Sequence, residues 1–325
     1  MITQSTFKPA WWLRGAHIQT LVGGGVRQVA SPVNRMERLE LPDGDFVDLA
    51  WADKHLEADA PLVVILHGLA GNYRSPYIAA QMRQYQRLGW RSVVMHFRGA
   101  SGIPNRLLRA YHAGDTKDLH YVLQTLAERE PRTKKWLLGF SLGANVILKW
   151  LGEQGQQNWV HAAVSVSAPL ALNIAADRLN QGFSRIYQAY FLRQLRSMLR
   201  PKMRGEPQYA SLLEALESAH CFWTFDDTIS APLHGFANAH AYYHESSAKS
   251  YLTKIATPTL IIHAADDPMM TQAVIPNDSE LSPHVTLELS PHGGHLGFVS
   301  GSIPGRPVYW LDQRIPAYFN GHRGV

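Results

Sequence analysis

Apolar positions along the chain recur with two periods, and each period predicts a kind of element. Residues 36–41 and 46–51 are short runs joined by Pro42-Asp43-Gly44-Asp45, which reads as a hairpin turn between antiparallel strands. Leu62 to Leu66 is apolar at every position, as a strand covered on both faces requires. Residues 76–88 show helical spacing and stop at Gly89, a residue suited to ending a helix. The alternation continues with a strand at 92–96, a helix at 115–129, a strand at 136–140 and a short apolar helix at 142–151. Strands at 162–166, 259–263 and 285–289 follow, and a last helix is expected at 307–319. The predicted fold class is α/β: an eight-stranded, mostly parallel sheet whose first two strands are antiparallel and whose remainder is linked by helices.

One stretch interrupts this rhythm, at about residues 170–249. There Phe183, Ile186, Tyr190, Phe191, Leu195, Met198 and Leu199 fall at helical intervals, with Arg193, Arg196 and Arg200 on the opposite face. A helical cap inserted between two strands of one domain, residues 1–325, accounts for the pattern. The arginine stripe is expected to be a solvated helix face; weak contact with an anionic membrane surface, or with an acidic substrate, is the alternative.

Composition narrows the class of protein. With 46% apolar and 18% charged residues, the 325-residue chain can bury a full core, unlike a disordered segment. Basic side chains outnumber acidic ones 31 to 26, a net charge of +5 that forms no long Lys/Arg block, so a nucleic-acid partner is not expected. A single cysteine, Cys221, cannot form an internal disulfide and fits a reducing compartment. The opening MITQSTFKPAWWLRG does not read as a signal peptide. The longest apolar-leaning stretch, 162–176, is broken by Ser165, Ser167, Pro169 and Asn173 and is too short to span a bilayer. A cytoplasmic location is therefore expected.

Chemistry enters at the end of the fifth strand, which reads Gly139-Phe140-Ser141-Leu142-Gly143 and runs straight into an apolar helix. So sharp a strand-to-helix turn strains the middle residue, and glycine on either side leaves room for it, so that Ser141 projects its hydroxyl above the sheet. A serine hydroxyl becomes nucleophilic only when a base takes its proton and a third group holds that base. In this arrangement the chain order is Ser, then Asp or Glu, then His. After the seventh strand comes His263-Ala264-Ala265-Asp266-Asp267-Pro268, and after the eighth Pro291-His292-Gly293-Gly294-His295-Leu296-Gly297-Phe298. The residues alone leave Asp266 or Asp267 as the acid and His292 or His295 as the base. The oxyanion needs two backbone N–H donors, one from Leu142 after the nucleophile and one from the loop after the third strand, at Leu69 in HGLAG.

These segments together resemble the α/β-hydrolase superfamily: GFSLG at Ser141, HGLAG at His67 to Gly71, FRG at Phe97 to Gly99, ADDP at Ala265 to Pro268 and GGHLGF at Gly293 to Phe298. The opening FKPAWWLRGAHIQTL and the stretch GNYRSPYI at Gly71 to Ile78 narrow the resemblance to the AB hydrolase 4 family and its bacterial YheT-type esterases. The resemblance implies Asp267 as the acid and His295 as the base. It also implies a carboxylic ester hydrolase acting on short-chain esters or acylglycerols, with no cofactor. The same triad serves thioesterases and peptidases, and the fold also occurs in non-catalytic binding proteins. Phe183, Tyr187, Tyr190 and Phe191 are expected to suit an acyl pocket. His96 stands where many relatives carry Asn, so a polar contact there is expected to differ.

The remaining candidates take plainer readings. His67, His96 and His263 sit at the carboxyl ends of strands, yet His292-x-x-His295 is not the helical HExxH arrangement of a zinc site, so no metal is expected. Cys221 reads as a buried small apolar residue. The Trp11-Trp12 pair is expected to anchor the amino-terminal arm rather than line an entrance.

Overall fold

A computed structural model of the chain describes residues 1–156 and 159–323. Nine strands form its main sheet: β1 (Ile2–Gln4), β2 (Arg35–Glu40), β3 (Phe46–Ala52), β4 (Leu62–Leu66), β5 (Arg91–Met95), β6 (Lys135–Phe140), β7 (Ala162–Val166), β8 (Thr259–Ala264) and β9 (Val285–Ser290). Their spatial order is β1-β9-β8-β7-β6-β4-β5-β3-β2, antiparallel only where β3 meets β2 and β5. The expected count of eight is thus corrected to nine. The added strand, β1, lies parallel to β9 at the sheet edge. Three residues carry no readable alternation, and their strand character comes from the partner they join.

The helices that position the site are α1 (Ala16–Leu21), α2 (Pro76–Arg87), α3 (Thr116–Arg129) and α4 (Leu142–Gln154). Between β7 and β8 the chain forms α5 (Leu172–Leu179), α6 (Ser184–Met203), α7 (Ala210–Ser218), α8 (Phe222–Phe225), α9 (Ala231–His234) and α10 (Ala239–Ser246). The carboxyl-terminal helix is α11 (Leu311–Gly321). It starts later than its apolar pattern suggests because Val308–Tyr309 (β11) first pairs with Val299–Ser300 (β10) in a small second sheet.

The strict period of two splits the core into two layers. Leu62, Val64 and Leu66 of β4 face α3 and α4, while Val63 and Ile65 face α2 and α11. Burial of every residue of β4 to β8 explains why those strands read as continuous apolar runs. Arg98, 3% exposed, ties the β2–β3 turn to this core: it pairs bidentately with Asp118 of α3 and also reaches Asp43 and Asp45. Since β4 continues to β5 on one side and neighbours β6 on the other, the carboxyl ends of β4 and β6 border a topological switch point, where open α/β sheets place their ligands.

Candidate active site

Ser141 follows directly from β6 at that switch point, with φ 51° and ψ −119°. The strain is held in place by close packing on both sides. A Cβ on Gly139 would lie 2.6 Å from the Gly143 carbonyl oxygen, and one on Gly143 would lie 2.5 Å from the His67 carbonyl oxygen. The serine amide donates to Val166 O at 2.9 Å, fixing the turn to the neighbouring strand.

Ser141, His295 and Asp267 meet in one hydrogen-bonded chain. His295 Nε2 lies 2.8 Å from Ser141 Oγ, and its Nδ1 lies 2.8 Å from Asp267 Oδ2. The other carboxylate oxygen of Asp267 accepts the Met269 amide at 2.8 Å, and both Asp267 and His295 are buried. Asp266 and His292 lie outside this chain: they contact each other at 3.3 Å, and Asp266 accepts the Gly294 amide at 2.9 Å. That second pair braces the loop that carries His295.

The loop after β4 presents a third element. Gly68 N–H donates to Tyr77 Oη at 3.1 Å and Ala70 N–H to Tyr111 Oη at 2.9 Å. The Leu69 N–H between them has no acceptor among the described residues. Leu142, the first residue of α4, likewise carries an N–H for which a helix offers no internal partner. His67 supports the loop from below. Its Nδ1 donates to Gly68 O at 2.7 Å and its Nε2 accepts the Phe97 amide at 3.3 Å, while full burial pushes its pKa down to about 3. His96 bridges the Asp48 carbonyl and the Tyr73 amide in the same neutral manner, and burial lowers its pKa. Among the described residues, no group of three or more His, Cys, Asp or Glu is arranged to hold a metal ion.

The amino-terminal arm completes the site. Thr20 Oγ1 accepts the His295 amide at 2.8 Å, and Gln19 makes three hydrogen bonds to Leu13 O, Val299 O and Val299 N. Contact between arm and loop is so close that a Cβ on Gly294 would sit 2.4 Å from Ala16 O, and one on Gly23 would sit 2.5 Å from Gly297 Cα. Trp11 and Trp12 donate to Ser302 O and Gly301 O, which anchors the arm. Residues 61–302 match the family model described as alpha/beta hydrolase fold. The chain belongs to the α/β-hydrolase family. Two curated relatives of this α/β hydrolase span nearly its whole length. "Putative esterase YheT" of Escherichia coli (strain K12) is 41% identical over 97% of this chain and 93% of its own. Monoacylglycerol lipase ABHD2 of Homo sapiens is 30% identical over 98% of this chain and 80% of its own. Among solved structures, the esterase Pf2001 of Pyrococcus furiosus superposes with a TM-score of 0.55 at 17% identity, covering 91% of this chain and 95% of that one.

The helices between β7 and β8 depart from expectation in two respects. Of the four aromatic residues expected in an acyl pocket, only Phe191 lines the cavity at Ser141; Phe183 and Tyr190 are exposed, and the Tyr187 hydroxyl contacts His17 Nδ1 at 3.0 Å. Helical spacing alone does not say which of two apolar faces turns inward. The arginine stripe departs only in part: Arg193 and Arg200 are exposed, as a solvated face requires, with Arg200 paired to Glu217 of α7, whereas half-buried Arg196 donates to the carbonyls of Leu216 and Ala219. Cys221 is buried at the start of α8. Sequence reasoning missed Thr20, Tyr77 and Tyr111, which act on the site through long-range backbone contacts. It also missed Asp226, which no motif marks. Among the described residues, no helix is long and apolar enough to cross a membrane.

Proposed function

We propose that this α/β hydrolase cleaves carboxylic esters by acyl transfer through Ser141 to water. The observation that carries the reading is the Ser141–His295–Asp267 hydrogen-bond chain, set beside two unclaimed amides at Leu69 and Leu142. Ser141 Oγ attacks the ester carbonyl carbon as its proton passes to His295 Nε2, and the tetrahedral oxyanion accepts hydrogen bonds from the two amides. Asp267 holds the Nδ1 proton and stabilises the imidazolium. When the C–O bond breaks, His295 returns the proton to the departing alkoxide and leaves an acyl enzyme. Water then loses a proton to His295 as it attacks, and that proton returns to Ser141 when the carboxylic acid leaves.

The mostly apolar cavity wall of Leu142, Leu172, Phe191 and Met269 suits an acyl chain, and the relatives named as an esterase and a monoacylglycerol lipase support an ester or lipid-like substrate. No cofactor enters the scheme. A lone buried cysteine agrees with work in the cytoplasm. The test is labelling by a fluorophosphonate probe together with turnover of p-nitrophenyl esters, thioesters and amides. Labelling and ester turnover that both vanish in Ser141→Ala are the expected result. An unlabelled parent, or a Ser141→Ala variant as active as the parent, would refute the proposal.

A further inference from the structure

The cavity at Ser141 has a largely apolar wall with a polar island on the cap side. Asp226 and Tyr243 enter a lining that is otherwise built by such residues as Leu69, Leu142 and Met270. Asp226 is 7% exposed and opens a π-helical turn, Asp226–Ser230, a rare backbone form that recurs at functional sites. One carboxylate oxygen accepts Ser230 Oγ at 2.6 Å and the other accepts Tyr243 Oη at 2.7 Å. No Lys, Arg or His pairs with it among the described residues.

A carboxylate offers about four lone-pair positions, and the protein uses two. Tyr243, which donates a hydrogen bond to Asp226, keeps acceptor capacity on its own hydroxyl oxygen. Burial pushes the Asp226 carboxyl up to about 6, so at neutral pH the group is mostly ionised and accepts only. Acceptors with spare capacity in an apolar wall are costly unless a donor reaches them. An ammonium would satisfy them but must shed far more hydration than a hydroxyl to enter such a cavity.

We propose that Asp226 and Tyr243 form a specificity subsite that accepts hydrogen bonds from a hydroxyl group carried by the substrate away from its ester carbonyl. The proposal rests on the ester-hydrolase reading but is tested apart from it, by binding. Ser141→Ala protein is titrated calorimetrically with p-nitrophenyl alkanoates of matched length, either unsubstituted, ω-hydroxylated or ω-aminated, and with hydroxyalkyl esters of the unsubstituted acids. Hydroxylated ligands are expected to bind about tenfold more tightly than their parents, the worth of one net hydrogen bond. That preference should fall at least several-fold when Asp226→Asn is added, and vanish with Asp226→Leu. Because each preference is a ratio within one protein, partial loss of folded material does not change it, and Asp226→Asn keeps the shape should Asp226→Leu not fold. Equal affinity for hydroxylated and plain ligands, or a preference untouched by Asp226→Asn, overturns the subsite. Tighter binding of the aminated ligands that depends on Asp226 overturns the hydroxyl assignment. Failure of the parent enzyme to hydrolyse any ester overturns the parent reading instead, and the binding ratios still decide the subsite.

Discussion

Thr20→Val isolates the link between the amino-terminal arm and the proposed base. The substitution keeps the shape of a β-branched side chain and removes the one acceptor of the His295 amide, which sits in a buried loop. The same hydroxyl also donates to Ala16 O at 2.7 Å, a back-bond within α1 that contributes little, and meets the Tyr187 hydroxyl of α6. A buried N–H left without a partner costs about 1–3 kcal/mol. At about 2.1 cal/mol/K of unfolding entropy per residue, a chain of this length should lose roughly 1.5–4.5 °C in Tm. The loop is already strained, with Leu296 at φ 61° and Phe298 at φ 45°, so loss of its anchor lets the imidazole drift from Ser141. A misplacement on the order of 1 Å can cost about 100-fold in rate, so kcat should fall by about tenfold to 100-fold while KM holds. Differential scanning calorimetry and p-nitrophenyl ester kinetics read the two effects. A variant with parental Tm and a kcat within about twofold of the parent would show that Thr20 does not hold the loop.

Asp267→Asn should lower kcat by about 10,000-fold with little change in Tm, since the imidazole loses its orienting charge while the packing is kept; a loss under about tenfold would remove Asp267 from the mechanism. Arg98→Met leaves the carboxylates of Asp45 and Asp118 buried without their cation and should cost about 3–5 kcal/mol in urea unfolding, and an unchanged midpoint would refute the estimate. The Asp226 carboxyl titrates near 6 when folded, above its ordinary value, so the folded state favours its acid form. Its contribution is complete below the unfolded carboxyl pKa and is lost as pH rises through about 6. Asp226→Asn should therefore gain Tm relative to the parent above about pH 6 and lose that gain toward about pH 4; a difference independent of pH would contradict the sign.

The features legible in the sequence were those written in local chemistry. Each of the eight expected strands lies within a residue or two of an observed one, because burial on both faces left runs such as Leu62–Leu66 without a polar position. Ser141 could be nominated because glycines flank its turn, whereas the residues alone left Asp266 or Asp267 and His292 or His295 open, and only the family resemblance singled out Asp267 and His295. What stayed hidden depends on partners distant in the chain. β1 has three residues and no pattern until β9 accepts it. Thr20 looks like any helical threonine until His295 lies across it. The inward face of α6 could not be told from its outward one, since Phe183, Ile186 and Tyr190 are apolar yet exposed.

Pairing of β1 with β9 also orders the assembly of the molecule. Thr3 reaches Leu287 across 284 positions. Closing so long a loop from the unfolded chain costs roughly 5 kcal/mol, whereas docking β1 onto a body already built, on the tether of residues 5–34, costs only about 3 kcal/mol. The arm therefore docks last, onto a finished sheet. Because α1 carries the anchor of His295, catalytic competence should arrive with that final step, and refolding followed by tryptophan burial should run ahead of the return of esterase activity.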